Sequence, residues 1–142
     1  MYRVTKELAF CFGHRLMNYN GKCRNLHGHN ARAVVTVASN ELDDLGMVTD
    51  FSALRKHIGD WIDRTLDHKM ILFKGDPLVP VLREMGDPVL AIDDHPTTEN
   101  LAKLIFDHVE KEGYAVVEVT LFETPTSYAT YTPAGVTAVV GE

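Results

Sequence analysis

His27-Gly28-His29 stands immediately before a run of small and β-branched residues, Asn30 to Ser39, and it sets the strictest condition on the fold. On an extended chain, side chains two apart point to the same face, so both imidazoles can reach one ion. Gly28 leaves the opposite face unobstructed. Upstream, Leu8, Phe10 and Phe12 alternate with Ala9, Cys11 and Gly13, which predicts a strand ending at His14. If the two strands pair antiparallel, the end of the first lies opposite the start of the second, and His14 joins the same ion. The polar, Asn- and Gly-rich connection between them is long for a hairpin, and ordered connections of that kind often carry function.

The remaining elements are read more simply. Phe51, Leu54, Ile58, Trp61 and Ile62 recur at helical spacing, with Asp50 or Ser52 able to cap the start. Residues 66–96 are mixed, with an apolar run at Val89-Leu90-Ala91-Ile92. A second helix begins near Thr97, capped by Thr97 or Thr98, carries Leu101, Leu104, Ile105 and Val109, and stops at Gly113. Val116 to Phe122 and Tyr128 to Tyr131 read as closing strands, and the last residues are expected to fray. The order β-β-α-α-β-β predicts an α+β fold, an antiparallel sheet with both helices on one face. At 142 residues the chain is expected to form one domain, 1–142.

Charge and composition narrow the function. The net charge of −6 argues against a general nucleic-acid binder. No apolar run approaches a membrane span, and the N-terminus lacks the apolar core of a signal peptide, so the expected address is cytoplasmic. There both cysteines, Cys11 and Cys23, are expected as free thiols. From Leu8 to Asn40 there is no Asp or Glu, while Arg15, Lys22, Arg24 and Arg32 fall in that window. A basic, metal-competent segment in an acidic protein suggests an anionic small substrate.

Three histidines with an open fourth position describe a catalytic zinc site, where the ion acts as a Lewis acid toward a substrate oxygen. Cys23, between Lys22 and Arg24, has two readings. It can serve as a general base, or it can close a structural Cys-His₃ site. Cys11 reads as a packed strand residue. Asp67-His68 matches a recurrent acid–base device, although such dipeptides are common. Glu123 at a strand end is either a solvated terminus or a bidentate acceptor for a planar donor pair. Thr97-Thr98-Glu99-Asn100 is explained as a helix start, whose free amides can also bind a ligand. His57, His95 and His108 lack comparable company.

The ordered segments Phe12-Gly13-His14-Arg15-Leu16, Cys23-Arg24-Asn25-Leu26-His27-Gly28-His29, Gly46-Met47-Val48-Thr49-Asp50-Phe51, Leu66-Asp67-His68, Thr97-Thr98-Glu99-Asn100 and Glu123-Thr124 resemble those of the 6-pyruvoyl-tetrahydropterin synthases and their relatives, the 6-carboxy-tetrahydropterin synthases. The resemblance spans roughly residues 5–135. It implies the tunnelling fold, a four-stranded antiparallel sheet with two helices, with sheets joined edge to edge into a barrel and trimers stacked as a homohexamer. It also implies a lyase acting on 7,8-dihydroneopterin triphosphate, with Zn²⁺ on His14, His27 and His29. Cys23 is implied as general base, Asp67 and His68 as a proton relay from a neighbouring subunit, and Glu123 as pterin anchor aided by Thr97, Thr98 and Glu99.

Two departures bear on the product. The three residues between Cys23 and His27 look like the carboxy-forming group of the queuosine pathway, whereas the long 73–96 connection and Thr97-Thr98-Glu99-Asn100 look more like the animal pyruvoyl-forming enzymes. The family also usually has Ala at the position of Gly13. The leading expectation is formation of 6-carboxy-5,6,7,8-tetrahydropterin with loss of acetaldehyde and triphosphate. The alternative within the family is the 6-pyruvoyl product of the tetrahydrobiopterin pathway. The alternative of another class is a non-catalytic, zinc-stabilised binding protein. A zinc hydrolase is disfavoured, because no His-Glu-X-X-His is present.

Overall fold

A computed structural model of the chain describes residues 1–134; the expected fraying of the last residues and the end of the domain lie outside them. Strand β1 (Tyr2–His14) pairs antiparallel with β2 (His27–Ser39) along its whole length, from Tyr2 opposite Ser39 to His14 opposite His27. Apolar alternation fixes this register. Leu8, Phe10 and Phe12 of β1 and Ala31, Ala33, Val35 and Val37 of β2 are buried on one face, and a slip of one residue would turn both sets out to solvent.

That face is covered by two helical segments. The first runs from α1 (Phe51–Leu54) through a π-helical stretch (Arg55–Gly59) into α2 (Asp60–Thr65). The Asp50 carboxylate caps its start by accepting from the Ser52 amide at 2.7 Å. The second is α4 (Thr98–Lys111), and Gly113 ends it with a φ of 97° that a side chain would strain. Leu54, Ile58 and Ile62 from the first segment and Leu101, Ile105 and Val109 from α4 meet the strands in one core cluster. Strand β5 (Val116–Thr124) adds to β2, and β6 (Ser127–Tyr131) adds to β5, both antiparallel.

The four antiparallel strands and the two helices of the sequence reading are all present, but among the described residues the sheet has six strands. In the connection after α2, β3 (Lys69–Phe73) pairs parallel with β1, and β4 (Val89–Ile92) pairs parallel with β3, with the short helix α3 (Leu78–Glu84) between them. The order across the sheet is β4-β3-β1-β2-β5-β6. These two strands are short, and Ile71 and Leu72 are both fully buried, so the period-2 alternation that marks a half-exposed strand is lost. Asp76 anchors the segment. Its buried carboxylate accepts from Arg15 Nε at 2.8 Å and from the Leu78 amide at 2.8 Å.

Candidate active site

The β1–β2 register places His14 directly opposite His27, and His29 opposite Phe12. All three imidazoles lie on the core face, in phase with Phe10 and Phe12, and Phe12 packs edge-on against His14 with ring centres 5.0 Å apart. One nitrogen from each ring lies within 4.8 Å of the others. The Nε2 atoms of His14 and His29 are 3.1 Å apart. Zn–N bonds of about 2.0–2.1 Å at tetrahedral angles put ligand nitrogens about 3.3 Å apart, so the three rings fit such an ion.

The orientation of the rings supports the same fit. His14 Nδ1 donates to the Pro96 carbonyl at 2.7 Å, and His27 Nδ1 donates to the Asn25 carbonyl at 2.7 Å. Each bond fixes a tautomer whose Nε2 lone pair is free, as metal-ligating histidines require. Burial holds the His14 imidazole below its usual pKa, assisted by the neighbouring rings and opposed by the Pro96 carbonyl and Glu123. His29 is lowered in the same way by burial, against the pull of the Glu123 carboxylate. Both effects favour the neutral, ligating form.

The N-terminus of α4 closes one side of the triad. Thr97 is its cap, with the hydroxyl accepting from the Asn100 amide at 3.1 Å. Thr98 donates its hydroxyl to Glu123 Oε2 at 2.6 Å. Glu123, at the end of β5, turns its oxygens toward the triad, 3.5 Å from His29 Nε2 and 3.8 Å from His14 Nε2. Glu99 is exposed on the first turn of α4 and joins none of these contacts.

Asp67 and His68 lie on the other face of the sheet. They follow α2 and enter β3, which is bound to β1. His68 adopts a left-handed backbone, φ 57°, uncommon for a residue with a side chain. It is held there by its amide, which donates to the Cys11 carbonyl at 2.7 Å. The Cys11 amide in turn donates to Asp67 Oδ1 at 2.9 Å, and His68 Nδ1 donates to Asp67 Oδ2 at 2.8 Å. The Cys11 amide is the foremost cause that holds the Asp67 carboxyl below its ordinary range, with His68 adding to it. A cavity of about 520 Å³ adjoins this cluster, lined by Cys11, Gly13, His68, Met70, Leu82 and Pro88.

The profile of the 6-pyruvoyl tetrahydropterin synthase family matches residues 3–134. The chain belongs to that family. Among its relatives is the 6-carboxy-5,6,7,8-tetrahydropterin synthase of Rickettsia bellii, 32% identical over 135 residues, covering 90% of this chain and 98% of the relative. Two solved structures share the fold. An uncharacterized protein of Wolinella succinogenes matches with a TM-score of 0.76 at 28% identity, over 92% of this chain and 97% of its own. The 6-pyruvoyl tetrahydropterin synthase of Caenorhabditis elegans matches with a TM-score of 0.67 at 28% identity, over 94% and 98%. Family membership makes the chain a lyase-type pterin enzyme.

Against that frame, the structure distributes the expected site residues over two faces. His14, His27, His29, Glu123 and Thr98 meet on the core face, with Thr97 in the cap beside them. Asp67 and His68 meet on the other. Cys23 sits in a short 3₁₀ turn, Lys22–Arg24, outside the group of nitrogens that converge at the triad, so the closed Cys-His₃ arrangement does not form. Of the basic candidates, Arg15 is committed to Asp76 and Arg32 to Glu7, while Lys22 and Arg24 make no ion pair among the described residues. Gly13 faces Met70, whose thioether lies where a β-carbon would project, 2.7–2.8 Å away. Sequence reasoning missed two partners, Cys11 and Pro96. Cys11, read from the sequence as a packed strand residue, instead stands half-buried with its sulfur beside His68; the Pro96 carbonyl left no signal at all.

Proposed function

We propose that the protein is a cytoplasmic 6-carboxy-5,6,7,8-tetrahydropterin synthase that converts 7,8-dihydroneopterin triphosphate to the 6-carboxy product, with loss of acetaldehyde and triphosphate. The observation that carries the reading is the His14–His27–His29 triad, in which carbonyl partners free Nε2 of His14 and His27, and Glu123 approaches Nε2 of His14 and His29. Zinc held there supplies Lewis acidity toward the substrate's side-chain hydroxyls. Among the described residues no helix is long and apolar enough to cross a membrane.

The chain's own groups supply binding and proton transfer. Glu123 accepts the paired N–H donors of the amino-pyrimidinone edge, and the Thr98 hydroxyl holds one of its oxygens in place. Cys23 removes the side-chain proton as general base. His68, oriented by Asp67, moves the second proton. In a single chain the relay pair and the triad lie on opposite faces of one sheet, so each complete site takes its relay from a neighbouring copy. Among the described residues the sheet ends at β4 and β6, and these edges are where copies join into the barrel of a homohexamer. Of the basic candidates, Lys22 and Arg24, which make no ion pair among the described residues, are assigned to the triphosphate.

The three-residue spacing from Cys23 to His27 and the names of the bacterial relatives favour the carboxy product. The test is incubation of the zinc-loaded protein with 7,8-dihydroneopterin triphosphate, with products identified by mass spectrometry. Acetaldehyde and 6-carboxy-tetrahydropterin are expected in equal amounts. A 6-pyruvoyl product alone would transfer the protein to the tetrahydrobiopterin-type reaction.

A further inference from the structure

The proposed chemistry uses Asp67 and His68 but leaves one member of their cluster idle. Cys11 Sγ lies 3.5 Å from both ring nitrogens of His68. Zn–S and Zn–N bonds of about 2.3 and 2.0–2.1 Å at a tetrahedral angle place sulfur and nitrogen about 3.6 Å apart. Equal distances to the two nitrogens set the sulfur over the ring rather than along either lone pair, so the donors are near enough to share an ion once the ring turns about its Nδ1–Asp67 bond. The His68 side chain is 79% exposed, so its ring can tilt to aim a lone pair. Both Asp67 oxygens are taken, one by the Cys11 amide and one by His68 Nδ1–H. That makes Asp67 an orienting group, and the arrangement is the carboxylate–histidine–metal triad that fixes a ligating tautomer.

We propose that Cys11 and His68, oriented by Asp67, form a second and weaker site for a thiophilic divalent cation such as zinc. The donor set selects the class of ion: thiolate with imidazole suits zinc and cobalt and excludes magnesium and calcium. Two protein ligands and water make it weaker than the three-histidine site. Binding is a proton-for-metal exchange without electron transfer. The Cys11 thiol gives its proton to solvent, the Sγ–metal bond forms, and His68 Nε2 contributes its lone pair while Nδ1–H stays on Asp67. An ion there occupies the lone pair that the relay needs, so the metal that supports turnover at the triad inhibits it at the second site. Only this inhibition rests on the proposed role of His68; the binding does not.

The test uses the zinc-loaded protein titrated with cobalt(II) beyond one equivalent, followed by absorption. A thiolate-to-cobalt charge-transfer band is expected in the wild type and in Cys23→Ser, and is expected to vanish in Cys11→Ser, which retains its triad zinc. Alongside, the zinc concentration that halves turnover should rise by roughly 10–100-fold or more in Cys11→Ser. No band in the wild type, or a band that survives Cys11→Ser and disappears in Cys23→Ser, would overturn the site. If the product assay fails while the band behaves as expected, the site stands and the proposed reaction falls. If the product forms and the band never appears, the reverse holds.

Discussion

The His triad and the Cys11–Asp67–His68 cluster flank the same end of β1, three residues apart in sequence, yet they are built by different means. The triad is a product of antiparallel register. Its rings stand on the core face, His14 is 3% exposed, and carbonyls of Pro96 and Asn25 fix the tautomers. The cluster is a product of parallel pairing between β1 and β3, held by two backbone bonds to Cys11 and one left-handed residue, and His68 stands out in solvent. One arrangement shields its imidazoles; the other leaves an imidazole open to something outside the chain. Rigidity would suit the proposed holding of an ion, and exposure the proposed completion of another copy's site.

That division is most directly broken by complementation. His27→Ala should lose zinc and with it all measurable turnover. His68→Asn should keep its zinc while turnover falls by roughly 10²–10⁴, the usual range for an acid–base group. Refolded or co-expressed together, the two inactive variants should recover roughly a quarter of wild-type activity, because random pairing of copies unites an intact triad with an intact relay in about one site of four. Absence of any recovery in verified mixed assemblies would place both halves of the site within one chain.

A smaller effect sharpens the account of how β1 is pinned. Asp76→Asn leaves Arg15 without its buried counter-ion, and a cost of about 3 kcal/mol is expected, the lower end of the range because Arg15 retains some contact with water. The Arg15 guanidinium is the foremost cause that holds the Asp76 carboxyl below its ordinary value of 3.8. A carboxyl depressed by folding contributes stability that is complete above 3.8 and is lost as pH falls through the depressed value. Urea denaturation of wild type and variant at several pH values should therefore show a gap that is constant near neutrality and closes in acid. A gap that widened in acid would refute the pairing.

The same contrast explains what could be read before any coordinates. The triad was legible because its information is local: two histidines at period 2, a third at the end of an alternating run, and an antiparallel pairing that has one sensible register. The helices were legible from apolar spacing and from Asp50, Thr97 and Gly113 at their ends. Strands β3 and β4 were not. Parallel pairing joins segments far apart in sequence, and buried short strands lose their alternation. With β3 unseen, nothing in the chain announced that Cys11 would hold Asp67, or that Arg15, expected near an anion, would be neutralised by a carboxylate at position 76. Histidine tolerates a left-handed backbone better than most residues, but at His68 it is the tertiary bonds to Cys11 that select it.

Thr97→Ala tests the core-face half at lower amplitude. Loss of the cap at the start of α4 should cost about 1 kcal/mol. Because the Pro96 carbonyl that orients His14 immediately precedes it, zinc affinity should drop with stability while the Asp67–His68 cluster keeps its geometry. NMR of the His68 ring at one pH reads the second point directly: unchanged ring chemical shifts in Thr97→Ala are expected, and displaced ones would show that the two faces communicate through α4.

The smallest effect is expected at Gly13, which lies between the two regions with its missing side chain directed to the cluster's face. A β-carbon there would meet the end of the Met70 side chain at 2.7 Å, and backbone only at 3.3 Å, the His27 carbonyl. Methionine is flexible, so the thioether swings aside, and Ala in place of Gly in a strand recovers a few tenths of a kcal/mol of chain entropy. The two terms oppose each other, and Gly13→Ala should change stability by less than about 1 kcal/mol in either direction. Zinc content should stay the same, because the triad faces the other way. Met70 also lines the cavity beside His68, so its displacement should reshape that cavity and leave the triad as it is. Loss of zinc from Gly13→Ala would mean that strain at this residue passes through the strand to His14 and His27, and the separation of the two faces would no longer hold.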